Sequence, residues 1–231
     1  MKIFAIGDLH LPGNSEKPMD VFGEKWGKHF ERVCDSWQVT VKDSDVVLIP
    51  GDISWALKLE DSADDLAAIA RLNGKKVLLR GNHDYWWNSL AKVRGLLDQS
   101  MFAVQNDCIV INGMAFAGSR GWTIPESVGF SPAEDEKIYE RELARLELSL
   151  SSVPAGAPIV GMLHYPPFNE RRVPSAFCAL FERFRVREVV YGHLHGKACK
   201  NAFEGMHNGV NYTLCSADHI GFSPKFILET E

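Results

Sequence analysis

Nothing in this chain of 231 residues is apolar over a stretch long enough to span a membrane. At the N-terminus Lys2 precedes a short apolar stretch that ends at Ile6 and meets Asp8. That is too short for a signal peptide, and no targeting or lipidation signal is expected. An excess of positive charge is also missing: 25 Lys and Arg stand against 30 Asp and Glu, for a net charge of -5 and a pI near 5.9. Sequence-blind binding to duplex nucleic acid depends on Lys and Arg displacing counterions, so it is not expected. The five cysteines, Cys34, Cys108, Cys178, Cys199 and Cys215, are an odd number without a CxxC pair. They suggest neither a disulfide framework nor a zinc ribbon, and a cytoplasmic location is the expectation. No GxxxxGKS or GxxxxGKT loop, no GxGxxG fingerprint, no internal repeat and no low-complexity tract is found. Ser119, within Ala117 to Gly121, looks like a serine-hydrolase elbow but lacks its first glycine.

What is present is the composition of a folded chain, 45% hydrophobic and 24% charged, long enough for one domain over residues 1–231. Short apolar runs at 3–6, 46–49, 77–79, 159–163 and 189–191 read as buried strands. Between them, Phe22, Trp26, Phe30, Val33 and Trp37 share one face at helical spacing. A second helix is expected from Leu59 to Asn73, with Asp61, Asp64 and Asp65 near its start and Gly74 as its stop. A third is expected from Pro132 to Leu150, capped by Ser131, with Ile138, Leu143, Leu146 and Leu150 facing inward. Asn112 and Gly113 mark a hairpin turn between runs at 108–111 and 114–117. Further strands are expected at 200–203, 210–215 and 225–228. The sum is an α/β chain with two facing mixed sheets and helices outside.

The chemistry gathers where the five buried runs stop. The first ends in Gly7, Asp8, Leu9, His10; the second in Gly51, Asp52; the third in Gly81, Asn82, His83, Asp84; the fourth in His164; the fifth in Gly192, His193, Leu194, His195. Ligands of open α/β sheets bind beyond the carboxyl ends of strands, so residues from Asp8 to His195 can meet in one crevice. Asp8 and His10, like His193 and His195, are two apart and point to one side of an extended chain. Carboxylate oxygen and neutral imidazole suit divalent Mn, Fe, Co or Zn, and thiolates are absent from the set. Turn chemistry alone accounts for the Asp, Asn and Gly at strand ends. It does not account for five of the eight histidines standing there.

These blocks, Asp8 x His10, Gly51 Asp52, Gly81 Asn82 His83 Asp84, His164 and Gly192 His193 x His195, resemble the signature of the calcineurin-like metallophosphoesterases. They stand in the right order over nearly the whole chain, and no ligand position is missing. The resemblance implies a four-layer metallophosphoesterase fold, two sheets in a sandwich flanked by helices. It implies two divalent ions, one held by Asp8, His10, Asp52 and His195, the other by Asp52, Asn82, His164 and His193, with Asp52 shared. It implies a phosphohydrolase acting on a small phosphomonoester or phosphodiester, in which a hydroxide bridging the ions attacks phosphorus. His83 would donate a hydrogen bond or proton to the phosphate or leaving group, and Asp84 would orient His83. The alternative is a non-catalytic scaffold of the same fold that binds a protein partner; such scaffolds typically lack a ligand or the His83 equivalent.

For substrate contact the candidates are Asn82 itself and the pair Arg171 and Arg172, which could clamp a phosphate. Trp55, Trp86 and Trp87 lie just past two strand ends, as an aromatic wall or as core. The segment 119–131 follows neither period and is expected to be a binding loop.

Overall fold

Strands form where the β-branched and aliphatic runs stand, since such side chains fit a pleated surface buried on both faces. The structure, a computed structural model, describes residues 1–13 and 19–230. A five-stranded sheet runs in the order β11 (Lys225–Glu229), β1 (Lys2–Ala5), β2 (Val46–Pro50), β3 (Lys75–Leu79), β4 (Met101–Val104). Within it β1 to β4 are parallel and β11 is antiparallel to β1. A six-stranded sheet runs β5 (Cys108–Ile111), β6 (Met114–Ser119), β7 (Ile159–Leu163), β8 (Glu188–Tyr191), β10 (Val210–Leu214), β9 (Gly205–His207). Its four central strands are parallel and both edges antiparallel.

Alternation along the strands sorts side chains into three cores. Ile3, Ala5, Val46 and Leu48 meet Phe116, Val160, Met162 and Val190 between the sheets. Phe4, Val47 and Ile49 turn the other way, into the core that holds Val33 and Trp37 of α1 (His29–Thr40), Leu66 and Ile69 of α2 (Ala63–Ala70) and Val93 of α3 (Leu90–Leu96). Leu163, Val189 and Tyr191 pack on Leu146 of α4 (Pro132–Ser151) and on Phe177 and Phe181 of α5 (Ala176–Arg183). Four layers result, two mixed sheets with helices outside, which is the expected fold class. Each fully buried Ile, Leu or Phe contributes roughly 1.5–3 kcal/mol. Among the described residues, no helix is long and apolar enough to cross a membrane.

Both short hairpins turn on Asn-Gly pairs with positive φ at each residue, 50° and 81° at Asn112 and Gly113, and 46° and 85° at Asn208 and Gly209. The second explains why residues 200–203 are not the expected strand. Gly205–His207 occupies the edge beside β10, and Gly196–Asn201 coils as a 3-10 turn before it. The first helix also starts later than its periodicity predicts. Met19–Phe22 and Glu24–Trp26 are separate 3-10 turns, and α1 opens only after Lys28, which sits in the left-handed region at φ 50°. The side chain of Phe22 lies outside the described residues. In α4 the inward face is Tyr139, Glu142, Leu146, Ser149 and Leu150, while Ile138 and Leu143 are half-buried. The two polar members have dedicated partners: Glu142 holds Arg145 at 2.8 Å and Arg120 at 3.4 Å, and Ser149 links Gly118 N to Asp107 O.

Lys76 is a buried cation in β3 that closes the end of α2. Its ammonium, with three N–H donors, faces four acceptors: Ala70 O, Leu72 O and Gly74 O at 3.0, 2.7 and 2.9 Å, and Ser100 Oγ at 3.0 Å. Burial lowers its pKa to about 8.

Candidate metal centre

All the parallel strands that carry the candidate ligands end at the same edge of the sandwich, and there the two sheets are stitched together. Gly7 N donates to Cys215 O at 2.7 Å, and Ala217 N returns the bond to Gly7 O at 3.0 Å. The chain after β1 runs beside the chain after β2, Asp8 N bonding Gly51 O and His10 N bonding Asp52 O at 3.0 and 2.9 Å. Asp8, His10, Asp52 and His193 all take positive φ, 57°, 45°, 52° and 73°. Each costs on the order of 1–2 kcal/mol in an L-residue, so packing and these ladders must hold the side chains where they are.

Glycine is required at three of these ends: Gly51 has φ 98°, and a Cβ there would stand 2.6 Å from His164 Nδ1. A Cβ on Gly81 would stand 2.1 Å from Asp52 Oδ1, and one on Gly192 2.4 Å from Asp8 Oδ2. Both carboxylates thus lie against bare backbone, and both accept from it: His83 N donates to Asp52 Oδ1 at 2.8 Å, and His193 N to Asp8 at 3.0 and 3.1 Å.

Seven donor-bearing side chains converge in two groups. In one, His10 Nε2 lies 3.4 Å from His195 Nε2, which is 3.7 Å from Asp8 Oδ1. In the other, Asn82 Oδ1 is 2.7 Å from His164 Nε2 and 2.9 Å from His193 Nδ1, with the two ring nitrogens 3.3 Å apart. Asp52 Oδ2 stands between the groups, 3.8 Å from His10 Nε2 and 3.5 Å from His164 Nε2. Asp8, His10 and His195 form one cluster able to hold a metal ion, and Asp8, Asp52 and His164 another.

Protonation fits cations. His164 Nδ1 lies 3.0 Å from Pro50 O, an acceptor, so the ring proton sits there and Nε2 carries a lone pair. Burial drives the His164 pKa to about 3 and the His193 pKa to about 2, and holds His10 well below the ordinary range. The neutral His164 lone pair therefore faces the carbonyl oxygen of Asn82, acceptor against acceptor at 2.7 Å. Such a contact is repulsive unless a positive charge occupies it. Burial also pushes Asp8 up to about 7, His195 pulling against it and Asp52 adding, and it raises Asp52. A nearby divalent ion would restore both to carboxylates.

Asp218 completes the site, and no sequence argument above had named it. Its Oδ1 accepts from His195 Nδ1 at 2.8 Å, leaving Nε2 for the cluster, while Oδ2 takes Lys25 Nζ at 2.5 Å and Gly196 N at 3.0 Å. Burial opposes its charge, but the bonds from His195 and Lys25 hold the carboxyl well below the usual range. Burial also works against a charged His195, yet the Asp218 hydrogen bond and the charge of Asp8 leave that ring above its ordinary value. Asp218 was findable: the run at 210–215 also ends in residues of the kind read at the other five strand ends.

His10, Asp52, His193 and His195 floor a cavity of about 360 Å³ walled by Met19, Trp26, Trp55 and Lys25, with His83 at its side. Trp55 stacks on His10 at 4.8 Å. Trp86 and Trp87 are core instead, 1% and 2% exposed. The ring of His83 has no hydrogen-bond partner among the described residues and sits 4.6 Å from Trp55, centroid to centroid. Asp84 does not orient it. The Asp84 carboxylate is turned inward and accepts from Ile53 N, Ser54 N, Gly81 N and Trp86 Nε1 at 2.8, 3.2, 2.7 and 2.9 Å. It ties the ends of β2 and β3 together. Arg171 and Arg172 do not reach the ligands either: both are exposed, and Arg171 pairs with Glu126 at 3.3 Å.

The family model of calcineurin-like phosphoesterases matches residues 1–197. The chain belongs to that family. Among solved structures, a phosphopantetheinyl hydrolase from Mycobacterium tuberculosis superposes with a TM-score of 0.60 at 14% identity, over 99% of this chain and 96% of the other. A protein of unknown function from Aquifex aeolicus gives 0.51 at 16% identity, over 97% and 95%. GAP50 of Plasmodium, described as the anchor in the inner membrane complex, gives 0.50 at 14% identity, over 94% and 72%. At these identities the likeness is one of fold. No curated protein sequence matches the chain. Calcineurin-like phosphoesterases typically bind divalent metals, and the Asp and His clusters are where this member would hold them.

Proposed function

We propose that this calcineurin-like phosphoesterase is a metal-dependent phosphohydrolase, cleaving a small phosphomonoester or phosphodiester with two divalent ions that share Asp52. The observation that carries this is the convergence of acceptors: Asn82 Oδ1 lies 2.7 Å from the lone-pair nitrogen of His164, and Asp52 Oδ2 lies 3.5 Å from that same nitrogen. Asp8, His10, Asp52 and His195 would hold one ion, and Asp52, Asn82, His164 and His193 the other. When bound, such ions supply Lewis acidity, activating water and offsetting charge on the phosphoryl oxygens.

The chain's own residues do the rest. Asp218 fixes the proton of His195 on Nδ1, and Pro50 O fixes that of His164, so both rings present Nε2. His83, unbonded at the cavity wall, is placed to hydrogen-bond the phosphate and to give a proton to the departing oxygen as the bond from phosphorus to that oxygen breaks. Trp26 and Trp55 keep bulk water from one side of the floor.

A scaffold role has a precedent of the same fold in the Plasmodium anchor. The complete donor set and the retained His83 favour hydrolysis over it. The test is a panel of aryl monoesters, aryl diesters, nucleotides and cyclic nucleotides, offered to chelator-stripped protein resupplied with Mn, Co, Zn or Fe. Metal-dependent release of phosphate or alcohol from at least one class is expected; a protein that binds these metals and cleaves none of the esters is a scaffold.

A further inference from the structure

A second cavity, of about 220 Å³, opens on the far side of His193 from the first, and His193 lines both. The two therefore meet at a candidate ligand. Tyr165 stacks on His193 at 4.1 Å and forms part of the second wall, with Trp122, Ile124, Val128, Phe168 and Leu194 around it. This is the aperiodic segment 119–131 folded over the chain that follows β7 and β8. Its rim is held by contacts between loops: Val128 N donates to Glu170 Oε2 at 3.2 Å, and Glu126 pairs with Arg171.

The charge of this cleft is informative. Among the described residues no Lys or Arg lines it, and Glu170 is its one charged lining residue. Arg120 stands behind the wall, its guanidinium 4.5 Å over the Trp122 ring and paired with buried Glu142. Asn169 has its Oδ1 occupied by Arg171 N and Val173 N, at 3.0 and 2.9 Å, so its NH2 is the group left to hydrogen-bond an occupant.

We propose that this cleft binds the alcohol part of the ester, and that this part is an uncharged group with an apolar body and a hydrogen-bond acceptor. At roughly 30 Å³ per water, the volume corresponds to about seven waters, a group on the order of ten heavy atoms. Leaving groups that carry a phosphate or carboxylate would face Glu170 with no compensating cation among the described lining residues. The assignment rests on the phosphohydrolase reading and narrows it to a substrate class.

The test compares three esters on the metal-loaded protein: 4-acetamidophenyl phosphate, 4-carboxyphenyl phosphate of matching ring size, and 2,2,2-trifluoroethyl phosphate, which is too short to fill the cleft. The neutral ring ester should exceed the carboxylate one in kcat/KM by about tenfold or more, since like-charge juxtaposition costs a kcal/mol or several. Ala198→Trp, at an exposed position on the rim, should lower the ratio of neutral ring ester to trifluoroethyl phosphate by about tenfold through KM. Val128→Lys, 84% exposed in wild type, should move the carboxylate ester up relative to the neutral one. Hydrolysis of all three with ratios unmoved by either variant overturns the cleft assignment and leaves the phosphohydrolase standing. Hydrolysis of none, with metals bound, overturns both.

Discussion

Replacing Asp218 by Asn tests how far one carboxylate outside the ligand set governs an ion. The side chain is 1% exposed and accepts three donors, His195 Nδ1, Lys25 Nζ and Gly196 N. An amide of the same shape has one oxygen to give. If that oxygen stays on His195, the new NH2 faces an ammonium 2.5 Å away and a backbone N–H 3.0 Å away. If the amide turns, its NH2 faces His195 Nδ1 and the ring proton must move to Nε2, the atom 3.4 Å from His10 Nε2 and 3.7 Å from Asp8 Oδ1. Either arrangement weakens the group of Asp8, His10 and His195 and leaves that of Asn82, His164 and His193 untouched. Loss of such a support typically lowers metal affinity 10–100-fold, about 1.4–2.7 kcal/mol. Calorimetric titration of stripped protein with Mn or Zn should therefore show one of two binding events weakened by that factor. Lys25→Met, which leaves the His195 bond in place, should show a smaller shift. Two events with wild-type constants in Asp218→Asn would refute the reasoning.

Three further outcomes follow from the geometry. His83→Ala should keep both ions by metal analysis yet lose about a hundredfold or more in turnover, the range of general acid catalysis; unchanged turnover with metals bound removes the role. Gly81→Ala puts a methyl 2.1 Å from Asp52 Oδ1 and 2.2 Å from Asp52 N, so metal stoichiometry measured by elemental analysis should fall while Gly95→Ala, where nothing lies within 4 Å, keeps it. Lys76 has a folded pKa near 8 against 10.5 unfolded, so its charged form is disfavoured by folding below pH 8, and stability is regained as pH rises from 8 to 10.5 while only the folded chain releases the proton. Urea unfolding of wild type and Lys76→Met across that window should show wild type gaining on the variant; parallel curves would mean that Lys76 does not titrate there.

Much of the site was legible because strand ends are where an α/β chain puts its chemistry, and Gly-Asp, Gly-Asn-His-Asp and Gly-His-x-His announce themselves after apolar runs. The two-sheet architecture followed from the same runs and from Asn112-Gly113. What escaped has a common physical cause, dependence on tertiary partners. Strand β4 is four residues, and α5 has Ser175 as its cap but only eight residues of periodicity. Glu142 and Ser149 face the core because Arg120, Arg145 and Gly118 meet them there. Arg171 belongs to Glu126 across a loop contact that no spacing reveals. Asp84 is adjacent to His83 in the chain and opposite to it in direction. Trp26 sits in the cavity wall, not on a helix face, because Lys28 takes a left-handed φ and delays the helix.

The bonds between Gly7 and the chain at Cys215 and Ala217 place the donor cluster on the seam of the sandwich, with Asp8, His10, Asp52 and Asn82 from one sheet and His164, His193 and His195 from the other. A cation lodged there acts as a rivet through both plates. Neither sheet can peel away without surrendering it, so occupancy ties the fate of residues near the start of the chain to that of residues nearly two hundred positions later.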